Sequence, residues 1–543
     1  MSDSPPMWPL ALPTAAVAGL IALAALDTTP SWLYHLAVDV TGEPLFPPHA
    51  VVLSVALFLT ARGLLLRRRA AWYAALAVVT LGVLAALTGA DPRWRAPLLM
   101  VTAFALWRCR DALLVRPHPV RVRTAVRTFA GIVIASILAI LLLGGASVHS
   151  VGPDVVNGLG AGGLDLNGPA WLPGALGLLG GIGLLAIMQI VLAPAPPPPP
   201  GSALERDQVS ELVAHPGSDT LAPFALRRDK SYVFSPDQRA AIGYRVLFGV
   251  AAAGGDPVGD PGSYHAAIHE FLALCLRMGW RPAVLGADAA QLSSWPGLRS
   301  IGFGDEVIVA PATFSLAGRQ MRNVRQAVKR SSNAGVTTSI LLERSLSAQL
   351  RTELLAVAHE ALDGSAERGF SMNLDGLLTG GHPGSVIAIA YDRDGAPVAF
   401  QRYLTAGGGL SLDAMRKLPS APNGVNEHLI TEIISYARDL PVPVVSLNFA
   451  AFRELLDATS RSPMEQLGYR AIHLLDPLIA VESLYLFDKK FRPFYKPRSV
   501  IFRSWADIGW VAAALLTLEF GRSHSAAVRP DAEPVPELSP EHR

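Results

Sequence analysis

The sequence predicts a polytopic α-helical membrane domain followed by a soluble α/β domain. The chain has 543 residues, of which 51% are hydrophobic, and this length exceeds that of one ordinary domain. Apolar residues are concentrated in residues 1–192, which contain no lysine. From about residue 221 onward, strand-like and helix-like segments alternate, a pattern typical of a mixed sheet covered by helices.

Six apolar runs predict six transmembrane helices. Each run is close to the roughly 20 residues that cross a bilayer as an α-helix. The runs lie near residues 8–26, 49–66, 70–90, 96–114, 128–147 and 171–192. We expect the fourth helix to be short, because Arg108, Arg110 and Asp111 interrupt its run.

The positions of the arginines predict the orientation of these helices, since cytoplasmic loops carry an excess of positive charge. Loops 27–48 and 148–170 contain acidic residues but no Lys or Arg, and Arg93 and Arg95 oppose the trend. We therefore predict a multi-pass protein of the cell membrane with both termini and the soluble domain in the cytoplasm. The arginines that mark the cytoplasmic loops are Arg67, Arg68, Arg69, Arg116, Arg121, Arg123 and Arg127.

A proline-rich linker, residues 193–220, is predicted between the two domains. Its first part, Ala193–Gly201, should run as an extended polyproline spacer, and residues 202–220 are expected to be poorly ordered. The soluble domain is long enough for two α/β subdomains, 221–345 and 346–510. Residues 521–543 are rich in Pro and Glu and are predicted to be disordered.

Several segments of the soluble domain have a clear predicted conformation. The turn Asp392-Arg-Asp-Gly395 between two apolar runs predicts a β-hairpin. Strands are predicted at Ala240–Ala252, Arg299–Ala310, Ser385–Tyr391, Val398–Leu404 and Val442–Phe449, and helices at Tyr264–Met278, Gly318–Ala334 and Asn426–Leu440.

The helix predicted at Gly318–Ala334 has one strongly cationic side. No acidic residue lies between Glu306 and Glu343. At about 100° per residue, the basic side chains fall on one arc and the apolar ones on the other. This pattern predicts docking on a polyanion, either lipid head groups or nucleic acid; the alternative is a solvated face balanced by acids elsewhere. The basic residues are Arg319, Arg322, Arg325, Lys329 and Arg330, and the apolar ones are Met321, Val324, Ala327 and Val328.

Common catalytic signatures are missing from the sequence. It contains no Walker A loop, no H-E-x-x-H, no G-x-S-x-G and no dinucleotide-binding fingerprint in strand-turn-helix context. Cys109 and Cys275 fit no metal or disulfide spacing. These absences argue against a self-sufficient ATP-using, zinc-hydrolase or dehydrogenase domain, and we expect no metal and no cofactor.

Residues 225–505 resemble the catalytic domain of the phosphatidylglycerol lysyltransferase family, the multiple peptide resistance factor proteins. The resemblance rests on a series of motifs in this order: Gly304-Asp-Glu306, Phe314-Ser-Leu-Ala-Gly318, Arg322-Asn-Val-Arg325, Glu367-Arg-Gly-Phe370, Asp413-x-x-Arg416, Pro422-Asn-Gly-Val425 and Lys490-Phe-Arg-Pro493. It implies two tandem acetyltransferase-like (GNAT-type) subdomains, with the catalytic site in the second.

The resemblance also implies transfer of an amino acid from aminoacyl-tRNA to phosphatidylglycerol at the inner membrane of a bacterium. Lysine is the family's usual donor, and lysylation would change the lipid's charge from about −1 to about +1, which weakens the attraction of cationic peptides. The expected partners are aminoacyl-tRNA, phosphatidylglycerol and the lipid bilayer, and a homo-oligomer is left open. The family's usual membrane region is longer than six spans, so lipid flipping is not implied.

The implied catalytic residues are Asp413, Arg416 and Lys490. An i, i+3 spacing would place Asp413 and Arg416 on one side of a helix or turn. Asp413 could accept the proton of the attacking hydroxyl or hold the α-ammonium group, Arg416 could bind phosphate, and Lys490 could stabilise the oxyanion. The alternatives are a local Asp413–Arg416 ion pair and a solvated basic run.

Further residues are implied in substrate binding. Asn423 and Glu427 could orient the amine, although Asn423 could instead cap the following helix. We expect His382 to belong to a flexible loop rather than to catalysis. The remaining candidates for binding lipid or tRNA are Arg319, Arg322, Arg325, Lys329, Arg368 and Lys489.

Other functions stay open at this point. Alanyl or another aminoacyl group, or another lipid acceptor, would use the same scaffold. A membrane-tethered acetyltransferase would need a pyrophosphate-binding loop, and Arg402–Gly408 has the wrong spacing for one. A lipid transporter with a cytoplasmic regulatory domain is the non-enzymatic alternative.

Overall fold

The computed structural model describes residues 7–24, 30–32, 35–36, 47–88, 94–113, 115–143, 172–362, 373–374, 376–382, 384–440, 442–451 and 486–520. The chain divides into two compact units. The first contains Met1–Pro197 with Leu272–Arg281, and the second contains Pro198–Phe271 with Pro282–Arg543. The predicted tail, residues 521–543, lies outside the described residues.

A helix lies at each position where an apolar run predicted one. Among the described residues, α3 and α5 contain the two stretches long and apolar enough to cross a membrane, Arg69–Thr88 and Pro119–Ala139. The fourth helix is short, as expected, and its 14 residues reach about 21 Å against a hydrocarbon core of about 30 Å. Six spans therefore stay a prediction. The bounds are α1 Trp8–Ala24, α2 Pro47–Leu65, α3 Arg69–Thr88, α4 Arg95–Arg108, α5 Pro119–Leu143 and α6 Leu172–Val191.

The second unit is an α/β fold, in agreement with the predicted class. Its helices are α7 Ala203–Val213, the first part of α8 Tyr264–Met278, α9 Arg322–Asn333, α10 Ala348–Leu362, α11 Val425–Asp439 and α12 Ile508–Phe520; α8 from Leu272 onward belongs to the first unit. Its strands are β1 Ser231–Phe234, β2 Ala240–Leu247, β3 Val250–Gly254, β4 Val258–Gly259, β5 Arg281–Asp288, β6 Arg299–Val309, β7 Thr337–Leu342, β8 Val386–Tyr391, β9 Pro397–Ala406, β10 Gly409–Lys417, β11 Val445–Ala451 and β12 Phe494–Phe502.

The described strands form one sheet. Their order is β1-β2-β3-β5-β12-β6-β11-β10-β9-β8-β7, with β4 paired to β2. Strands β10 and β11 run parallel, whereas β12 is antiparallel to both of its neighbours. The C-terminal strand is therefore inserted between two strands of the N-terminal half. The predicted division into subdomains near residue 345, and their GNAT-type character, stay predictions.

Helices cover the two faces of the C-terminal half of the sheet. On one face, Tyr403 of β9 and Val307 of β6 share a core with Leu429 and Ile433 of α11; we call this the α11 face. On the other, Phe400 of β9 packs with α10; we call this the α10 face. Because side chains alternate along a strand, Arg402 and Glu306 belong to the α10 face.

Most predicted segments are confirmed. Helix α8 has the predicted bounds, the hairpin turns at Asp392-Arg-Asp-Gly395, and α11 begins one residue before its predicted start. The expectation that residues 202–220 are poorly ordered is wrong. Ser202 and Glu205 form a capping box that starts α7, and the S-x-x-E pattern of this box is present in the sequence.

Two further corrections concern candidate site residues. The cationic helix begins at Arg322, because Gly318 takes a left-handed φ of 86° and the backbone turns before it becomes helical. Arg319 therefore precedes the helix. The motif from Asp413 to Arg416 lies in strand β10 and not in a helix or turn, since it pairs along its length with β9.

Candidate functional site

The predicted cationic surface exists on α9. Val324, Ala327 and Ser331 are buried, whereas the basic side chains of the helix are exposed. One of these, Arg325, is committed to the fold, because its guanidinium donates to the carbonyl oxygens of Leu316 and Gly318, at 2.8 Å for the latter. The other exposed basic residues are Arg322, Lys329 and Arg330, and Arg319 is exposed just before the helix.

The N-terminus of α11 lies directly against α9. Gly424 is its N-cap with a φ of 96°, and a Cβ at this position would lie 2.2 Å from the carbonyl oxygen of Ala327. The alternative role of Asn423 as the helix cap is therefore wrong, and Asn423 is an exposed turn residue. His428 Nδ1 lies 3.2 Å from Ser331 Oγ, so a polar contact also joins the two helices.

Lys490 and Glu427 meet at this helix N-terminus. Lys490 Nζ donates to Glu427 Oε1 at 3.0 Å and lies 4.8 Å from the ring centroid of Phe487. Lys489 is exposed on the same short turn, Lys489–Phe491. The structure thus brings together three groups that are far apart in sequence: the basic side of α9, the start of α11, and this lysine pair. We call them the cationic surface.

Asp413 lies on the opposite face of the sheet from Lys490 and Glu427. A β-bulge between Leu412 and Ala414 directs its carboxylate to the α10 face, where Arg402 Nε donates to Asp413 Oδ2 at 2.6 Å. The backbone N–H of Leu374 donates to Asp413 Oδ1 at 2.7 Å. The same guanidinium lies 3.7 Å from Glu343 Oε2, and all three ionised side chains are at most 1% exposed.

Arg416 shares this face with Asp413. Its cross-strand neighbour is Phe400, whose side chain packs with α10, and directly opposed residues lie on the same face. The bulge therefore produces the shared side that the i, i+3 spacing predicted, although the element is a strand. The ion pair that the structure shows for Asp413 is with Arg402, on the neighbouring strand. Arg368 lies outside the described residues.

An acidic cavity lies further along the α10 face. Its volume is about 330 Å³, and Thr220, Tyr264 and Gln291 line it together with three aspartates. Lys496 Nζ contacts Asp219 Oδ2 at 2.6 Å and Asp288 Oδ2 at 2.9 Å. The guanidinium of the buried Arg498 contacts Asp219 Oδ1 at 2.7 Å and Asp256 Oδ2 at 3.8 Å, and it also contacts the carboxylate of Glu306. Carboxylates outnumber cations four to two in this group, so the cavity favours a cationic ligand.

Burial and pairing act in opposite directions on the pKa values of these groups. Burial raises the pKa of Asp256 to about 6. Burial would also raise the pKa of Asp219, but Arg498 and Lys496 together hold it well below its usual range. The pKa of Lys496 is raised because the attraction of Asp219 outweighs its burial. Asp256 is thus the carboxylate of the cavity that can exchange a proton near neutral pH.

A groove of different character lies beside the acidic cavity. It consists of two cavities of about 300 and 480 Å³ that share Leu226 and His382. Arg206, Arg228 and Asp207 line the larger of the two cavities. Burial lowers the pKa of His382 to about 4, and Arg402 and Arg228 add to the shift, so the imidazole is neutral at pH 7. Its apolar wall is Val213, Ala214, Pro223, Leu226, Leu374 and Leu404.

The groove and the acidic cavity are neighbours. Ala406 lines the groove and Gly408 lines the cavity, and between them Gly407 N donates to Val213 O at 3.2 Å. A Cβ on Gly407 would lie 1.8 Å from the carbonyl oxygen of His215, so only glycine permits this contact. Two cavities of opposite character therefore open on either side of one backbone contact.

The sequence did not predict the acidic cavity. Asp219 fell in the presumed linker, and Asp256 and Asp288 belong to no motif. Two signals existed: the motif Gly304-Asp-Glu306, and two cations at i, i+2 in a strand, Lys496 and Arg498, which must share one face.

Comparisons with known proteins agree with these observations. Residues 210–502 match the model of the family described as phosphatidylglycerol lysyltransferase, C-terminal. The chain is 41% identical over 313 residues to the MprF-like domain protein Rv1619 of Mycobacterium tuberculosis, covering 56% of this chain and 64% of that protein. It is 38% identical over 344 residues to the lysylphosphatidylglycerol biosynthesis bifunctional protein LysX of Mycobacterium sp. (strain KMS), covering 59% and 31%. The chain thus spans less than two thirds of either relative.

Two solved structures share the fold. The structure of L-PGS from Bacillus licheniformis superposes with a TM-score of 0.53 at 21% identity, covering 60% of this chain and 98% of that one. The C-terminal domain of a putative lysylphosphatidylglycerol synthetase from Agrobacterium fabrum gives a TM-score of 0.51 at 21% identity, covering 59% and 98%.

Proposed function

The chain belongs to the phosphatidylglycerol lysyltransferase family by its C-terminal domain, and from this premise we propose that it transfers lysine from lysyl-tRNA to the glycerol hydroxyl of phosphatidylglycerol. The observation that carries the proposal is the pair of neighbouring cavities on the α10 face. The acidic cavity suits a cationic aminoacyl group. The groove combines an apolar wall with two arginines and suits an anionic lipid.

The acidic cavity supports lysine as the donor amino acid. A lysyl ester carries two ammonium groups, and carboxylates exceed cations by two in the group around Asp219 and Arg498. An alanyl ester carries one ammonium group and would leave this excess partly uncompensated. Transfer of alanine is the alternative within the same scaffold.

The groove supports a glycerophospholipid as the acceptor. Its wall of Val213, Leu226 and Leu404 offers apolar surface to an acyl chain, and the guanidinium groups of Arg206 and Arg228 lie where a phosphate would be attracted. The glycerol hydroxyl would then reach the ester across the contact between Gly407 and Val213.

The reaction needs positioning and one proton acceptor. The lipid hydroxyl oxygen attacks the ester carbonyl carbon, a new ester bond forms, and the bond to the ribose oxygen breaks. The hydroxyl proton passes to a carboxylate and from there to the departing ribose oxygen. Asp256 suits this role, since its pKa of about 6 keeps it ionised at pH 7 yet basic. The ammonium of Lys496 offsets the charge of the tetrahedral oxyanion.

The cationic surface on the α11 face is proposed to hold the tRNA backbone. Phosphate contacts position a nucleic acid without reading its sequence, which suits exposed residues such as Arg322 and Lys329. Lys490 and Glu427 pair with each other on the α11 face, and their roles at the aminoacyl end stay predictions. Asp413 is proposed to position the segment at Leu374 through Arg402 rather than to take part in proton transfer.

The proposed reaction is tested with the full-length protein in vesicles that contain phosphatidylglycerol. tRNA pools charged with radiolabelled lysine, alanine or arginine are supplied separately, and label is followed into the lipid. We expect label from lysine, lost when the tRNA is digested first. No label from any pool, with an active control enzyme, would overturn phosphatidylglycerol as the acceptor for these donors.

A pair of variants tests the assignment of the acidic cavity. Asp288→Asn removes one charge that faces Lys496, and we expect KM for lysyl-tRNA to rise about tenfold, the effect of one lost charge contact of about 1.4 kcal/mol. Asp394→Asn in the exposed hairpin turn is the control and should leave KM unchanged. Equal KM values for the two variants would contradict binding of the lysyl group in this cavity, without excluding the transfer reaction.

A further inference from the structure

The C-terminal helix α12 has an unusual composition for a surface helix. Ile508–Phe520 contains a single ionisable residue, Glu519, near its end. A helix on the surface of a soluble domain ordinarily turns a charged or polar face to water. Helix α12 does not, although half of it is exposed.

The inner side of α12 explains why the helix stays on the domain. Val511, Ala514 and Leu515 are buried and, at helical spacing, form one stripe that packs against strands β3, β5 and β12. Together with Leu518 and the partly buried Ile508, which belong to the same core, this stripe accounts for five of the ten apolar residues in the helix. The apolar residues of the outer side have no role in this core.

The outer side of α12 exposes large apolar groups. Trp510 is 50% exposed and Leu516 is 43% exposed, with the small residues Ala512 and Ala513 between them. Trp505, just before the helix, is 56% exposed and is held by Phe502, with ring centroids 5.3 Å apart. We call these exposed apolar residues the α12 surface.

A strained turn adds a third aromatic group beside the same core. Phe248 in the turn between β2 and β3 has a φ of 50° and is 52% exposed. Such a conformation is rare for a bulky residue, and Asn or Gly would adopt it more easily. Its neighbour Leu247 packs against the core cluster that contains α12. An exposed aromatic ring kept in a strained position suggests a contact outside the folded chain.

The charged residues beside the α12 surface and the length of α12 indicate what this surface contacts. Arg503 and Arg299 are exposed next to the α12 surface, and Arg299 lies opposite Phe502 in the sheet. Tryptophans with flanking arginines are typical of helices at a lipid–water interface. The 13 residues of α12 reach about 20 Å, too short to cross a hydrocarbon core of about 30 Å.

We propose that α12 lies in the head-group region of the bilayer, parallel to the membrane plane, with Trp505, Trp510 and Phe248 as its anchors. The same chain contains two helices long and apolar enough to cross a bilayer, so a membrane is within reach of this domain. Arg299 and Arg503 meet anionic lipid phosphates at the edge of the surface. The contact tethers the soluble domain at the membrane independently of any transfer reaction.

The test places a fluorophore on the α12 surface of the full-length protein. In a background of Cys109→Ser and Cys275→Ala, Ala513→Cys carries an environment-sensitive dye, and Ala396→Cys in the exposed β8–β9 turn is the matched control. The protein is reconstituted at one copy per nanodisc with phosphatidylglycerol and nitroxide-labelled lipids. We expect a blue-shifted emission at 513 and quenching by the nitroxides at least about threefold stronger than at 396.

A folding-safe variant sharpens the test. Phe248→Asn relieves the positive φ, so it should not lower the melting temperature, yet it should weaken the quenching at 513. Trp505→Ser together with Trp510→Ser should weaken it further.

Three results would overturn the proposal. Equal quenching at 513 and 396 would show that no lipid contacts α12. A blue shift without nitroxide quenching that disappears on deletion of residues 521–543 would identify the chain's own tail as the occupant. A blue shift seen only with two copies per nanodisc would identify a second copy. No aminoacyl-tRNA is present, so the outcome does not depend on the proposed transferase activity.

Discussion

Replacing Arg402 by methionine should destabilise the soluble unit more than any exposed substitution. Its guanidinium lies between the carboxylates of Asp413 and Glu343, and none of the three side chains is more than 1% exposed. It also donates to the carbonyl oxygens of Gly376 and Leu374, each at 3.2 Å. Methionine fills a similar volume but removes the guanidinium that lies between two buried carboxylates.

The expected cost is about 3–5 kcal/mol, the usual loss when one partner of a buried ion pair is removed. For a domain of this size, that cost corresponds to a lower melting temperature by about 6–20 °C. Melting is followed by intrinsic fluorescence of the full-length protein in detergent. Arg344→Met, on an exposed residue next to Glu343, is the control and should change the melting temperature by less than about 2 °C.

A compensated variant separates charge from packing. Arg402→Met combined with Asp413→Asn and Glu343→Gln removes all three charges of this cluster, and we expect it to recover more than half of the lost stability. Equal melting temperatures for Arg402→Met and the Arg344→Met control would contradict a stabilising role of the buried ion pair. The reasoning also fails if neutralising both carboxylates lowers the melting temperature further.

Three other predictions concern pH, salt and backbone geometry. Asp256 has a pKa of about 6, above the ordinary 3.8, so the folded protein binds this proton more tightly than the unfolded chain does. The stability of the fold should therefore decrease as the pH rises from about 4 to 6. Asp256→Asn should have a higher melting temperature than wild type at pH 7.5 and the same melting temperature at pH 4. Arg322→Gln should weaken tRNA binding and reduce the slope of the logarithm of the tRNA binding constant against the logarithm of the salt concentration by about one. Arg344→Gln is the control and should leave this slope unchanged. An unchanged slope for Arg322→Gln would contradict tRNA binding at α9. Gly424→Ala should lower the free energy of unfolding by about 1–2 kcal/mol more than Gly318→Ala does. Both glycines have a positive φ, but only the Cβ at 424 would meet a backbone atom, 2.2 Å away. Equal melting temperatures of the two variants would contradict the close contact of α9 and α11.

Local patterns in the sequence predicted the elements of the soluble domain well. Helix α8 and the hairpin at Asp392–Gly395 follow from periodicity and turn chemistry, which depend on neighbouring residues alone. The start of α7 could have been predicted in the same way from Ser202 and Glu205. Strand β10 was misjudged at Asp413, because its bulge breaks the alternation that identifies a strand.

The candidate site could be predicted only in part. The basic side of α9 is one helix face and was visible in the sequence. Its proximity to Lys490 and Glu427 was not, because it depends on Gly424 bringing two helices together. The partner of Asp413 was also hidden, since Arg402 lies on a neighbouring strand and the register of the strands selects the pair.

The sequence by itself determined where helices, strands and cationic segments lie, and the family resemblance that its ordered motifs carried. Only the tertiary structure decided which of these meet: the insertion of β12 between β5 and β6 places Arg498 against Asp219, 279 residues away in the chain. The physical reason is that local conformation depends on near neighbours, whereas strand order depends on the burial of whole sheet faces. For an acidic cavity assembled from distant segments, local patterns such as the alternating Lys496 and Arg498 therefore show single contributions but not the assembly.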